Sequence, residues 1–150
     1  MTKAKNPLIR PLTPQDRQQW EALWREYLDF YQTRLDDAVV DRTFARLAAA
    51  DYADMFGYVA EYEGQLVGIV NCINHDHGWS IEQVTYLQDL YVSPAARKTG
   101  VGQLLIEAVY AYADQNDKAN VYWMTQTFNH TARKLYDRVG MQTDFIKYRR

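Results

Sequence analysis

The stretch Asp89-Leu-Tyr-Val-Ser-Pro-Ala-Ala-Arg-Lys-Thr-Gly-Val-Gly-Gln-Leu-Leu-Ile106 decides how the rest of the chain is read. Leu87 to Val92 is aliphatic, aromatic and β-branched, which predicts a strand. Ser93-Pro94 ends it, because proline has no N–H to give to a ladder. From Val101 the apolar residues Val101, Leu104, Leu105, Ala108, Val109 and Tyr112 recur at helical spacing on one face. The small and basic residues from Arg97 to Gly102 therefore lie between a strand end and a helix start.

That position suits a phosphate. The first amides of a helix have no intrahelical acceptor and sit at the positive end of its dipole. Gly100 and Gly102 allow close backbone approach, and Arg97 and Lys98 add charge. The dinucleotide fingerprint would need a third glycine where Leu105 stands, and the Gly-Lys-Ser/Thr of a P-loop is absent.

A second motif follows downstream. Asn129, Ala132, Tyr136 and Gly140 are spaced as Asn-x-x-Ala-x-x-x-Tyr-x-x-x-Gly along a segment with helical apolar spacing and a glycine stop. With Arg-x-x-Gly-x-Gly at Arg97, Gly100 and Gly102, the chain resembles the GNAT superfamily of N-acetyltransferases. The resemblance spans nearly all of residues 1–150, which form one domain, and is nearest to the group related to fungal histone and polyamine acetyltransferases.

The resemblance implies an α/β fold: a mixed, mostly antiparallel sheet of six or seven strands with splayed central strands, flanked by about four helices. It implies acetyl-coenzyme A as co-substrate, with its pyrophosphate on Arg97, Lys98, Thr99, Gly100, Val101 and Gly102. Its pantetheine arm would lie along Leu90, Tyr91 and Val92, with Asn129 and Ala132 on the far side. The Leu90 N–H would polarise the thioester carbonyl, and Tyr136 would hydrogen-bond or protonate the departing thiolate. A primary amine is the implied acceptor: a polyamine, lysine-like amine, amino acid or basic peptide. A homodimer is implied as well.

The chemistry demands a base. An alkyl ammonium near pKa 10.4 is only about 0.1% neutral at pH 7.4, so freeing its lone pair costs roughly 4 kcal/mol. Asp89, just before the thioester positions, is the first candidate. Glu82 or ordered water is an alternative, because Gln88 stands where polyamine acetyltransferase relatives carry glutamate. A structural Asp89, tying strand to loop, is the competing account.

Acceptor contacts have no motif. Trp20, Leu23, Trp24, Tyr27, Leu28 and Tyr31 share one face of a helix that Thr13 and Pro14 start, and Tyr27, Phe30 or Tyr31 can line a pocket while packing. Gln88 and Trp79 are further substrate candidates. Cys72, His75 and His77 lie close in sequence but lack metal-ligand spacing, so no metal is expected.

Bulk properties agree with a small-molecule enzyme. The 150 residues carry a net charge of -2, with pI about 5.9, and offer no basic field for nucleic acid. No stretch has the apolar length of a membrane span, and a single cysteine fits a reducing compartment, so a soluble cytoplasmic protein is expected. Four further strands are predicted at Leu8–Leu12, Phe56–Tyr62, Gln65–Asn71 and Val121–Thr125, with a last one at Gln142–Tyr148, and a second helix at Asp37–Ala50. A non-catalytic acyl-coenzyme A sensor is the rival function, separated from the enzyme by whether amines trigger thiol release.

Overall fold

The computed structural model describes residues 6–150. Strand β1 (Leu8–Pro11) leads through a single turn to α1 (Arg17–Phe30) and α2 (Asp37–Ala48), followed by β2 (Met55–Tyr62), β3 (Gln65–His75) and β4 (Val84–Val92). Then come α3 (Val101–Gln115), β5 (Val121–Tyr122) and α4 (His130–Val139). The sheet order is β1-β2-β3-β4-β5, with antiparallel neighbours except for the parallel pair β4 and β5. This is the expected mixed sheet, with five strands among the described residues rather than six or seven. Residues 142–148 form no strand, and Phe145, Ile146 and Tyr148 stand exposed. β5 keeps only the first two of its five expected residues.

Local chemistry explains the boundaries. The Thr13 N–H and hydroxyl both donate to Asp16, whose carboxylate also takes two hydrogen bonds from Arg10, so the entry to α1 is tied to β1. Glu63 and Gly64, both at positive φ, turn β2 into β3. Each face of the sheet buries its own core. Under α1 and α2 lie Trp20, Trp24, Val40, Phe44, Val59, Ile69 and Tyr91, with Trp20 stacked on Trp24 at 5.5 Å. Under α3 and α4 lie Ala60, Val70, Cys72, Leu87, Leu105, Ile106 and Val109. No helix among the described residues is long and apolar enough to cross a membrane.

One residue breaks the alternation of β4. Asn71 opposes Asp89 and Cys72 opposes Leu87, so Gln88 is an extra, bulged residue. Strict alternation predicts Leu87, Asp89 and Tyr91 on one face. The bulge instead sends Leu87 to the α3 side and leaves Asp89 and Tyr91 on the α1 side.

Gly68 lets α3 settle on β3: a Cβ there would stand 3.0 Å from Leu105 Cδ1 and from Val101 Cγ1. Gly68→Val should therefore lift the start of α3 and cost about 1–3 kcal/mol of overpacking, read as a lower urea midpoint.

Candidate active site

The glycine turn lies between β4 and α3, where the sequence locates it. After β4 the chain makes a short turn over Pro94–Ala96, passes Lys98 at φ 64° and Gly100 at φ 86°, and enters α3. Only glycine adopts the Gly100 conformation without strain. The first helical acceptor is the Gly100 carbonyl, bonded by the Leu104 N–H. Among the described residues, no protein acceptor meets the amides of residues 98–103, which leaves a cluster of donors at the dipole's positive end. Gly102 has the Leu135 side chain 3.2 Å from where a Cβ would be, so α4 packs close beside this turn. Thr99 caps the Ala96 carbonyl through its hydroxyl. Arg97 folds back, with Nε 3.1 Å from the Val92 carbonyl and its guanidinium over the Tyr91 ring, so only its terminal nitrogens are free for a phosphate.

A slot runs from this turn into the sheet. β5 pairs with β4 only at Thr85 and Tyr86, and the strands part beyond. The Ser93 N–H bonds to Val67 on β3, so by strand alternation Leu90 and Val92 direct their main-chain groups to the side that β5 has left. Tyr91 points its main chain the other way and buries its ring under α1.

Tyr136 approaches the slot from α4, packed against the α3-side core with Trp123 edge-on at 5.7 Å. Burial pushes its phenol up to about 12, with Tyr31 adding to the rise. Gly140, after the helix, is extended, and a Cβ there would stand 2.7 Å from the Trp123 ring. Its role is this close approach rather than a left-handed cap. Asn129 precedes α4, its amide bonded to Thr125 Oγ1 at 3.2 Å, and Ala132 is half-buried one turn on.

On the opposite face lies Asp89, 6% exposed. Asn71 Nδ2 donates to its Oδ2 at 3.2 Å, and Trp20 Nε1 donates to Asn71 Oδ1 at 3.2 Å. The Tyr27 phenol lies near it. Burial pushes the carboxyl up to about 6, and the Tyr27 phenol and the Asn71 amide pull it partly back. Tyr31 stands edge-on to Tyr27 at 5.0 Å. Tyr86 lies near enough for Asp89 to raise its phenol, after burial.

The structure thus groups Tyr27, Tyr31 and Asp89. It leaves Gln88 exposed on the bulge and Trp79 84% exposed at the β3–β4 turn, where its ring neighbour is His77. Cys72 is buried toward α3, whereas His75 bonds the Tyr122 hydroxyl at 2.7 Å. The His75 Nδ1 faces the Asp76 carbonyl and so carries the proton, which makes Nε2 the acceptor. Sequence reasoning missed Asn71 and Trp20 as the holders of Asp89. An asparagine inside the apolar run Leu-Val-Gly-Ile-Val-Asn-Cys-Ile was the available signal, since a buried amide must find partners.

A turn of free amides at a helix start, next to parted parallel strands, is the architecture of an acyl-coenzyme A-dependent transferase. The family model described as "Acetyltransferase (GNAT) family" matches residues 18–141, and the chain belongs to that family. It is an acetyl-coenzyme A-dependent N-acetyltransferase. It is 37% identical over 145 residues to the D-amino-acid N-acetyltransferase HPA3 of Saccharomyces cerevisiae, covering 95% of this chain and 89% of that one. The uncharacterized N-acetyltransferase YhfO of Bacillus subtilis is 28% identical over 142 residues, covering 93% and 94%. The aminoglycoside N-acetyltransferase AAC(6')-Iy in complex with CoA shares the fold, with TM-score 0.85 at 20% identity, covering 100% of this chain and 97% of that one.

Asp89 has a stability consequence. Its folded-state value lies above the ordinary 3.8, so the protonated form favours folding below about pH 4, and this contribution is lost as pH rises through about 6. Asp89→Asn should raise stability at pH 8 by up to about 3 kcal/mol, with the gain shrinking toward pH 4, as urea midpoints at the two pH values will show.

Proposed function

We propose that the protein acetylates a small primary amine, with an amino acid as the leading acceptor class, and that Asp89 is the general base. The observation that carries this reading is Asp89, a buried carboxylate at the edge of the slot, among tyrosine rings that attract an ammonium ion. A carboxylate near 6 is roughly a hundredfold stronger as a base than an exposed one, yet still ionised at neutral pH. The 37% identity to a D-amino-acid acetyltransferase supports the acceptor class.

In this reading the amine nitrogen attacks the thioester carbon from the α1 side, and the Leu90 N–H takes the negative charge forming on the oxygen. The nitrogen's proton passes toward Asp89, the C–S bond breaks, and the thiolate leaves beside Tyr136. A phenol near 12 gives its proton to a thiolate near 8.5 only at a cost of about 5 kcal/mol. Tyr136 therefore serves chiefly as a hydrogen-bond donor that stabilises the leaving group. Arg97, Lys98, Thr99, Val101 and the two glycines hold the pyrophosphate in this scheme, with Asn129 and Ala132 flanking the arm.

Coenzyme A release should depend on added amine across a panel of L- and D-amino acids, polyamines, aminoglycosides and basic peptides. Acetyl-coenzyme A binding without amine-dependent thiol release would make the protein a sensor instead. Tyr136→Phe should lower kcat by about 10²–10³ with little change in acetyl-coenzyme A affinity.

We also propose a homodimer. The sheet ends on the two-residue edge strand β5, and Met141, Phe145, Ile146 and Tyr148 are each at least 76% exposed, a segment that a second copy would cover. Sedimentation should give a dimer for the full chain and a monomer after removal of residues 142–150.

A further inference from the structure

We propose that the stacked rings of Tyr86 and Tyr122 are the specificity floor of the acceptor site, taking an aromatic substituent carried next to the amine, and that His75 positions Tyr122. This rests on the reading that places the acceptor nitrogen at Asp89. Leu87 lies in the α3-side core, so Tyr86 before it points to the α1 face, which Asp89 shares. Ile73 opposes Tyr86 from β3 and Tyr122 pairs with it from β5, so the three side chains share that face. The two phenol rings lie 4.8 Å apart at 15°, and each is half-buried. Neither ring belongs to either core, and nor does Ile73. Apolar surface is thus left open beside the buried carboxylate.

An acceptor with its nitrogen at Asp89 has one open direction along β4 for its substituent. Toward Val92 the next ring on that face is Tyr91, 9% exposed, edge-on to Tyr27 at 6.3 Å and covered by the Arg97 guanidinium. Toward Val84 lies Tyr86. Its partner ring is held in place: the Tyr122 hydroxyl donates to His75 Nε2 at 2.7 Å, and His75 Nδ1 meets the Asp76 carbonyl at 2.8 Å. Both imidazole nitrogens are therefore engaged, and Ile73, Tyr86 and Tyr122 carry no carboxylate. A second ammonium laid on this floor would lose water and find no anion there to replace it. Ring faces do attract an ammonium, but by less than the burial of a ring-sized apolar group gains. The floor therefore favours an amine with an aromatic side chain over a polyamine.

The test measures kcat/KM at saturating acetyl-coenzyme A in the full-length enzyme for phenylalanine and alanine, each in both enantiomers, and for spermidine. Acetyl-coenzyme A affinity and thermal unfolding are the controls. Wild type should favour phenylalanine over alanine by about 10–200-fold, mainly through KM, and should favour it over spermidine as well. Tyr86→Leu should cut the phenylalanine-to-alanine ratio about tenfold, and Tyr86→Phe, which keeps the ring, should retain it. Tyr122→Leu, on the other ring, gives the same reading should Tyr86→Leu not fold. Tyr122→Phe and His75→Ala should each lower the ratio about two- to fivefold, and the double variant no further, because His75 acts through the Tyr122 hydroxyl. Additive losses overturn the positioning role of His75. A ratio unchanged in the leucine variants, or a wild-type preference for spermidine over phenylalanine, overturns the floor. A ratio that responds as expected while Asp89→Asn keeps wild-type turnover removes the base and leaves the floor standing. Absence of thiol release with every amine overturns the acetyl-transfer reading and the floor together.

Discussion

The one extra residue at Gln88 is the constraint on which the site depends. A strand repeats its side-chain direction every two residues, so a carboxylate two positions from Leu87 belongs in the α3-side core. There it would face Leu105 and Ile106 without a donor, at a desolvation cost that a domain of this size meets poorly. The bulge turns Asp89 to the α1 face, where Asn71 and Tyr27 wait, and leaves Leu87 in the apolar layer. It also brings Leu90 and Val92 into phase with the gap that β5 leaves. A single insertion in register thus sets the side-chain chemistry on one face and the main-chain chemistry along the edge.

Two cores on opposite faces divide the work. The α3-side core seats the helix whose first amides are free, and Gly68 and Gly102 draw that helix against β3 and α4. The α1-side core is built from stacked aromatic rings and carries an internal polar line: Trp20 to Asn71 to Asp89. Each member is buried, so each must be satisfied, and the line makes the carboxylate's orientation a property of core packing rather than of a mobile loop. Where β4 and β5 part, the stacked Tyr86 and Tyr122 rings, 4.8 Å apart and anchored through His75, close the end of the gap.

Much of this was legible in the residues. The glycine turn, the helix after it and the Asn129 to Gly140 frame each have a local cause, in φ, in helical period or in capping, and each lies where its pattern puts it. What was not legible depends on partners distant in the chain. Residues 142–148, with Phe145, Ile146 and Tyr148, have the composition of a strand, but a strand exists only when another offers its ladder, and none does among the described residues. β5 is short because its neighbour diverges, which no residue of β5 announces. Asn71 reads as one polar interruption until Trp20, 51 residues away, and Asp89 close around it.

In the proposed mechanism Asp89 also joins stability to function. A carboxylate raised to about 6 is a stored cost at neutral pH, because the folded protein keeps an ionised group where the neutral form would sit more comfortably. Evolution toward stability alone would replace it by asparagine, which keeps the acceptor toward Asn71 and removes the charge. In the proposed mechanism the acid is kept because its proton affinity is used. In that proposed mechanism it removes a proton from the attacking amine, and the same burial that makes the group expensive keeps bulk water from competing for it.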